Sequence, residues 1–91
     1  HGLTAIVEIT LDAQHVQAQD AFAQRVSADA AVQQCYRVSP GPDFVLVLCV
    51  RDMPQYHAAA QRLFTQDAQV RNVKAFFSVE RVKFGTELPL T

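Results

Sequence analysis

The turn at residues 39–43 holds the residue types best suited to binding a small charged ligand. It reads Ser-Pro-Gly-Pro-Asp, the densest turn chemistry in the chain, and it ends in a carboxylate. Exposed backbone groups and one carboxylate together can hold a zwitterion, with the carboxylate facing the ligand's ammonium group. Ser39, Gly41 and Asp43 are therefore candidate ligand residues. The structural alternative is a rigid hairpin connection in which Asp43 caps a backbone N–H, and the sequence leaves both open.

A second candidate is the run of Phe76, Phe77 and Ser78 near the end of the chain. In a strand, one Phe must point towards the helices and the next towards the opposite sheet face. An aromatic ring beside a serine hydroxyl could shape a small pocket at a seam between two subunits. The alternative is that both rings are ordinary packing aromatics.

The histidines and cysteines form no pattern typical of catalysis or metal binding. His1, His15 and His57 make no pair at helical spacing, and three glycines are too few for a phosphate-binding loop. We therefore predict neither enzyme activity nor a metal or other cofactor. Cys35 and Cys49 are interpreted as two buried, reduced cysteines of a cytoplasmic protein, with a disulfide between them as the alternative.

Size, charge and hydropathy narrow the class of protein. Ninety-one residues of which 49% are hydrophobic suit one small globular domain. The net charge of −1, from 8 basic and 9 acidic residues, gives no electrostatic reason to bind nucleic acid. The longest apolar run, Phe44–Val50, is far shorter than the ~20 residues of a membrane span. We expect residues 1–2 to be the remnant of a cleaved tag and residues 3–91 to form the domain.

Hydrophobic periodicity predicts the elements that position these candidates. Alternation indicates strands at residues 4–11 and 32–39, a continuous apolar run after the turn indicates a strand at 44–50, and residues 70–79 are interpreted as a final long strand. Helical spacing indicates helices at about 16–28 and 52–64. Asp52, Pro54 and Gln55 are typical of a helix start. Residues 80–91 are expected to add a short edge strand. The order βαββαβ predicts an α+β, ferredoxin-like sandwich with two helices on one face of an antiparallel sheet.

The other face of this sheet would be bare, and the sequence predicts that a second copy covers it. The third strand is apolar on both of its sides, so one set of side chains packs under the helices and the other still needs cover. An apolar sheet face of ~300 Å² or more seldom stays wet. We expect two copies to pack sheet to sheet through Ile6, Phe44, Leu46 and Leu48.

Several segments together resemble the effector-binding domain of the Lrp/AsnC (leucine-responsive/asparagine-type) transcription regulators. The resemblance spans residues 4–90 and rests on four stretches. These are Ala-Ile-Val-Glu-Ile-Thr-Leu at 5–11, residues 32–43 with Cys35, Val38, Ser39 and Asp43, Val-Arg-Asp-Met-Pro-Gln-Tyr at 50–56, and the segment 73–83. Pro40 stands where the family usually has a glycine, which removes one backbone donor.

The resemblance implies a fold, an assembly and a function. It implies the βαββαβ fold, sheet-to-sheet dimers forming a dimeric α+β barrel, and further assembly into tetramers or octamers. It also implies that a small amino acid binds at subunit interfaces, and that DNA is bound only through an N-terminal helix-turn-helix domain absent from this chain. By position, the resemblance assigns the effector site to the turn residues above and to five further residues: Met53, Tyr56, Phe76, Phe77 and Ser78.

We therefore expect an amino-acid-binding and oligomerisation domain that alters assembly and DNA binding. One alternative is an oligomerisation module with no ligand. Another is an enzyme of the dimeric α/β-barrel type, such as a cofactor-free monooxygenase or a lactone isomerase. The sequence disfavours the enzyme, because it shows no His, Tyr or carboxylate cluster poised inside the sheet.

Overall fold

A computed structural model describes residues 2–12 and 15–82 of the chain. The strands are β1 (Leu3–Leu11), β2 (Val32–Arg37), β3 (Phe44–Val50) and β4 (Val70–Phe77). The helices are α1 (Val16–Ser27) and α2 (Met53–Ala60), and α2 continues into one π-helical turn at Gln61–Thr65. The edge strand expected within residues 80–91 lies largely outside the described residues, and residues 80–82 are not in a strand.

The four strands form one antiparallel sheet in the order β2-β3-β1-β4. This arrangement confirms the α+β, ferredoxin-like prediction, because β1 and β3 occupy the centre and the two crossovers are helical. β1 pairs with β3 from Leu3 opposite Val50 to Ile9 opposite Phe44. It pairs with β4 from Ala5 opposite Phe77 to Leu11 opposite Val70. Each end of β1 therefore lies beside a different loop region.

Both helices begin at side chains that cap backbone N–H groups. Asp52 accepts a hydrogen bond from the Gln55 N–H at 3.0 Å, and the Gln55 side chain accepts one from the Arg51 N–H at 2.5 Å. Pro54 lies in the first turn of α2, where its missing N–H costs nothing. In α1, His15 accepts from the Ala18 N–H at 3.3 Å. The His15 cap was not predicted, since histidine is not among the preferred capping residues.

The hydrophobic core lies between the helices and one face of the sheet. Every second residue of β1, from Ala5 to Leu11, is completely buried. The rings of Phe22 in α1 and Phe44 in β3 pack with their centroids 5.0 Å apart. The π-helical turn brings two consecutive side chains, Leu63 and Phe64, into the core. Among the described residues, no helix combines the length and the hydropathy that crossing a bilayer would require.

The prediction that Phe44, Leu46 and Leu48 form a dimer interface is wrong. Their side chains are at most 1% exposed and lie under the helices of their own chain. A partner on the opposite sheet face cannot reach them. Only Ile6 of the predicted set, which is 40% exposed, lies on that face.

We call the side of the sheet away from the helices the open face. The strand register places Val47 beside Ile6, Val45 beside Glu8, and Cys49 beside Thr4 on this face. The remaining members come from the two edge strands and the end of β1, and they follow from the same register. They are Thr10, Gln34, Tyr36, Asn72, Lys74 and Phe76. The centre of the open face is apolar, and three of its large side chains are 40–52% exposed: Ile6, Tyr36 and Phe76.

Candidate functional site

The residues predicted to bind a ligand fall into two groups at opposite ends of the sheet. The turn group, Ser39, Gly41 and Asp43, adjoins the carboxyl end of β1 at Leu11. The second group, which we call the β4 group, lies at the amino end of β1. Its members are Met53, Tyr56, Phe76, Phe77 and Ser78. Five to seven residues of extended β1 separate the groups, since Phe76 is opposite Ile6, Ser78 bonds to Thr4 and Asp43 bonds to Leu11. This is a distance of about 20 Å at roughly 3.3 Å per residue. One chain therefore does not bring the two groups into one site.

Asp43 supports the fold at the end of the β1–β3 pairing. Its backbone N–H donates to the Ile9 carbonyl at 2.8 Å, and its own carbonyl accepts from the Val38 N–H at 3.1 Å. Its carboxylate accepts from the Leu11 N–H at 2.7 Å and from the Gln19 side-chain amide at 3.5 Å. The structure thus shows the role given by the structural alternative, in which the carboxylate caps backbone at the hairpin.

The other two members of the turn group are exposed. Gly41 has a φ of +107°, in the left-handed region that favours glycine, and a Cβ there would meet no atom within 4 Å. The backbone rather than the space around it therefore selects glycine at this position. Ser39 is exposed beside it. Both present backbone and hydroxyl groups to the surroundings of the turn.

In the β4 group the two phenylalanines point to opposite sides of the sheet, as predicted. Phe77 lies on the helix side, where Tyr56 packs against it edge to face with centroids 4.9 Å apart. Burial of Tyr56 raises the pKa of its hydroxyl. Phe76 lies on the open face and is 44% exposed. Met53, at the start of α2, is also exposed, so these side chains do not converge on a single pocket.

A surface groove of about 480 Å³ lies at the Ser78 end of the sheet. At this end the Ser78 N–H donates to the Thr4 carbonyl at 3.0 Å, which joins the start of β1 to the segment after β4. Its walls include two hydroxyls and two groups of opposite charge. The lining residues are Gly2, Thr4, Ser78, Val79, Glu80 and Arg81.

Sequence reasoning identified only Ser78 among the residues of this groove. Thr4 and the pair Glu80 and Arg81 are 76 or more positions apart in the chain, and only the antiparallel pairing of β1 with β4 brings them together. The one sequence signal for them was the predicted ferredoxin-like topology, in which the first and last strands are neighbours. A groove offering both a carboxylate and a guanidinium is chemically suited to a zwitterion.

A second cavity, of about 330 Å³, lies where the end of α2 meets α1. Both arginines that line it form hydrogen bonds and ion pairs between elements. Arg25 donates to the Leu63 carbonyl at 2.9 Å and pairs with Asp67, and Arg62 pairs with Asp29 through two hydrogen bonds of 2.6 and 2.9 Å. The Arg62 guanidinium lowers the pKa of the Asp29 carboxyl. These contacts fasten the helices to each other.

The two cysteines lie on opposite faces of the sheet, which rules out a disulfide between them within one chain. Cys35 packs against the core, where burial raises the pKa of its thiol. Cys49 is exposed on the open face, contrary to the prediction that both are buried, and its thiol donates to the Gln33 side chain at 3.0 Å. Within the described ranges, no three His, Cys, Asp or Glu residues are grouped so that they could hold a metal ion.

Comparison with known proteins identifies relatives along nearly the whole chain. Residues 4–88 match the model of the Lrp/AsnC ligand binding domain family. An HTH-type transcriptional regulator of Haemophilus influenzae is 32% identical over 81 residues, which are 89% of this chain and 48% of the relative. This chain therefore spans about half the length of that relative.

Solved structures share the fold. An AsnC family transcriptional regulator from Agrobacterium tumefaciens superposes with a TM-score of 0.86 at 30% identity, over 97% of this chain and 57% of the other. Transcriptional regulator NMB0573 from Neisseria meningitidis, solved as a complex with L-Met, has the same fold at 22% identity, with a TM-score of 0.80 over 96% of this chain and 56% of the other. From its family match and its topology, the chain belongs to the Lrp/AsnC ligand-binding domain family.

Proposed function

We propose that the chain is the amino-acid-sensing and assembly domain of a transcriptional regulator. The family match and the names of the relatives support this function. One neighbour of the same fold was solved with L-Met bound, which supports an amino acid as the ligand class. DNA would be bound by a helix-turn-helix domain separate from this one, since the relatives are about twice as long as this chain.

The observation that carries the proposal is the separation of the turn group from the β4 group. The two groups lie at opposite ends of β1, so a ligand that uses both must lie between two subunits. The groove beside Ser78 supplies one side, with Glu80 facing the ammonium group of the ligand and Arg81 facing its carboxylate. The turn of a neighbouring subunit supplies the other.

This arrangement makes ligand binding and assembly the same event. A ligand held between subunits has a higher affinity for the assembled form, and it shifts the equilibrium by that difference in affinity. The attached DNA-binding domains would then change their spacing. No bond in the ligand needs to be broken, and the relatives are named regulators, so we do not propose the enzyme alternative.

The basic unit of assembly in this proposal is a dimer that packs open face to open face. The single chain exposes an apolar area on its open face to water. This area is formed by half-buried Val45 and Val47 together with Ile6 and Phe76. Removing such an area from water favours association. Dimers would then assemble further, to tetramers or octamers, through the contacts that hold the ligand.

A thermal-shift screen of the chain against the common amino acids tests sensing. A ligand present at about 100 times its dissociation constant stabilises the folded state by ~2.7 kcal/mol. We expect one or a few amino acids to raise the melting temperature, and Arg81→Gln and Glu80→Gln to weaken the shift. Sedimentation of the chain with and without that amino acid then measures the change in assembly. A shift that both variants leave intact would exclude the groove.

The second candidate is an oligomerisation module with no ligand. It is favoured by Asp43, whose carboxylate already holds the Leu11 N–H within its own chain. In that case no amino acid changes the melting temperature, while the chain still sediments as a dimer.

A further inference from the structure

The open face ends in a level of polar side chains beside the groove. Cys49 in β3 is opposite Thr4 in β1. The Ser78 N–H bonds to the Thr4 carbonyl, which continues the pairing of β1 with β4 by one residue. On the other side, the Cys49 thiol donates to the Gln33 side chain at 3.0 Å. We call these four residues the polar row: Gln33, Cys49, Thr4 and Ser78.

Two hydroxyls of the polar row, those of Thr4 and Ser78, belong to residues that line the groove. Each hydroxyl can donate one hydrogen bond and accept others. Within the described part of the chain, the only contact of the Thr4 hydroxyl is a long one of 4.0 Å with the Cys49 sulfur, and the Ser78 hydroxyl forms no hydrogen bond. Both hydroxyls are therefore available to a bound molecule.

The order of residues along the groove sets the direction of the ligand. In the proposed function, Glu80 faces the ammonium group of the ligand and Arg81 faces its carboxylate. These two residues lie past the end of β4, whereas Thr4 and Ser78 form the last level of the sheet. A ligand held by both charges therefore extends its side chain from the segment after β4 towards the two hydroxyls.

An apolar ligand side chain would find little to pack against in this groove. Among the described residues that line it, Val79 alone has an apolar side chain, and it is 98% exposed. Phe76 lies one level further along the open face, outside the lining, and the Lys74 ammonium is over its ring at 5.3 Å from the centroid. An apolar side chain would also cover the hydroxyls without offering them a hydrogen bond, which is unfavourable.

A charged ligand side chain is disfavoured for a different reason. Glu80 and Arg81 are the two charged residues among the described lining residues, and the main-chain charges of an amino acid engage both. A further charge on the side chain would face only hydroxyls. Moving a charge out of water without an opposite charge is strongly unfavourable.

We propose that the groove selects an amino acid with an uncharged side chain that forms hydrogen bonds, either an amide or a hydroxyl, and that the Thr4 and Ser78 hydroxyls recognise it. This inference rests on the proposed function and adds the class of the ligand. Amide and hydroxyl groups both donate and accept, as the two hydroxyls of the groove do, so every group in the contact can be paired.

Amino acids matched in shape test the selection. The matched pairs are threonine with valine, asparagine with leucine, and glutamine with methionine, and aspartate and glutamate are the charged counterparts. Isothermal titration calorimetry of this chain measures each dissociation constant. We expect at least one of the three polar amino acids to bind about tenfold more tightly than its apolar and charged counterparts, the size of one good hydrogen bond. The pair with the largest ratio shows whether the group is a hydroxyl or an amide.

Variants of the polar row test which residues make the selection. Thr4→Val removes the hydroxyl and keeps the shape of the side chain, and Ser78→Ala removes the second hydroxyl. We expect each to reduce the ratio within the preferred pair by about threefold or more. Thr10→Val is the control, because it makes the same substitution on the open face at the other end of β1 and should leave the ratio unchanged. Circular dichroism checks that every variant is folded.

The outcomes separate this inference from the proposed function. If no common amino acid binds, sensing fails and the selection fails with it. If the apolar or charged counterparts bind as tightly as the polar amino acids, sensing stands and the selection is wrong. A preference that is unchanged in both Thr4→Val and Ser78→Ala overturns the assignment to these hydroxyls. If a variant does not fold, the comparison of matched amino acids on the unaltered chain still decides the ligand class.

Discussion

Asp43 is the residue for which the sequence left two roles open. Its position after a Pro-Gly-Pro turn indicated either a ligand anchor or a backbone cap. The structure shows the cap, with the carboxylate 2.7 Å from the Leu11 nitrogen. A ligand role in an assembly is compatible with this only if the Leu11 contact and the ligand share the carboxylate.

Replacing Asp43 separates these roles. Asp43→Ala should lower the free energy of unfolding by about 1–3 kcal/mol without any ligand, because the N–H of buried Leu11 loses its hydrogen bond to this carboxylate. Asp43→Asn keeps an acceptor oxygen and removes the charge, so its cost should be smaller. Urea denaturation measures both, with the exposed Ser39→Ala as the control.

The same variants examine the ligand role once an amino acid has been identified. If Asp43→Asn remains as stable as the wild type but loses the thermal shift, the carboxylate contacts the ligand. If the shift is unchanged in Asp43→Asn, the residue is only structural.

At the scale of elements, the contacts between α1 and the end of α2 make the stability of the domain pH-dependent. Asp29 follows α1, and its carboxylate binds Arg62 in the π-helical turn as well as the Ala31 N–H. The pKa of Asp29 is lowered chiefly by the hydrogen bond from Arg62. The stabilisation is therefore present above the unfolded pKa of about 4 and is lost as the pH falls through the lower folded value.

Arg62→Ala should lower the free energy of unfolding near pH 7 by about 0.5–1 kcal/mol, because Arg62 is largely exposed and water screens the pair. The difference from the wild type should shrink as the pH falls from about 4, where Asp29 of the unfolded chain takes up a proton, through the lower pKa of folded Asp29. Urea denaturation across that range measures it. Arg51→Ala removes an exposed arginine that forms no ion pair among the described residues, and it should show no such pH dependence.

The helices and strands were largely predictable from the sequence. Which face of β3 packs against the helices was not. The start of α2 followed from Asp52, Pro54 and Gln55, whose capping roles are local. β3 is apolar at every position, so alternation gave no reason to choose which side meets the helices. The choice depends on tertiary packing, such as that of Phe44 on Phe22, and the register then assigns the neighbouring strands.

At the scale of the whole molecule, the same register explains why the candidate site was only partly predictable. The types of Asp43 and Ser78 pointed to ligand chemistry, but their distance apart depends on which end of β1 each one adjoins. The groove residues Thr4, Glu80 and Arg81 could not be found without that pairing. Pairing between distant strands is set by the complete fold rather than by local pattern.

Substitutions at two neighbouring residues of β3 should affect different properties, one the association of two copies and the other the stability of the single chain. Val47→Lys places a charge at the centre of the open face and should abolish the dimer while the monomer stays folded. Leu46→Ala removes a completely buried side chain and should lower the free energy of unfolding by about 2–5 kcal/mol. Sedimentation and urea denaturation distinguish the two. If Val47→Lys dimerises as the wild type does, the open face is not the interface.

The different exposure of the two thiols allows self-association to be measured by their reaction with an alkylating reagent. Cys49 is exposed to solvent on the open face, whereas Cys35 is partly buried on the helix side and the pKa of its thiol is raised. An alkylating reagent should therefore modify the unaltered chain in two kinetic phases, since the thiolate is the reactive form. If a second copy covers the sheet, the fast phase slows as the protein concentration rises, and the midpoint of that slowing gives the strength of self-association without a single mutation or label.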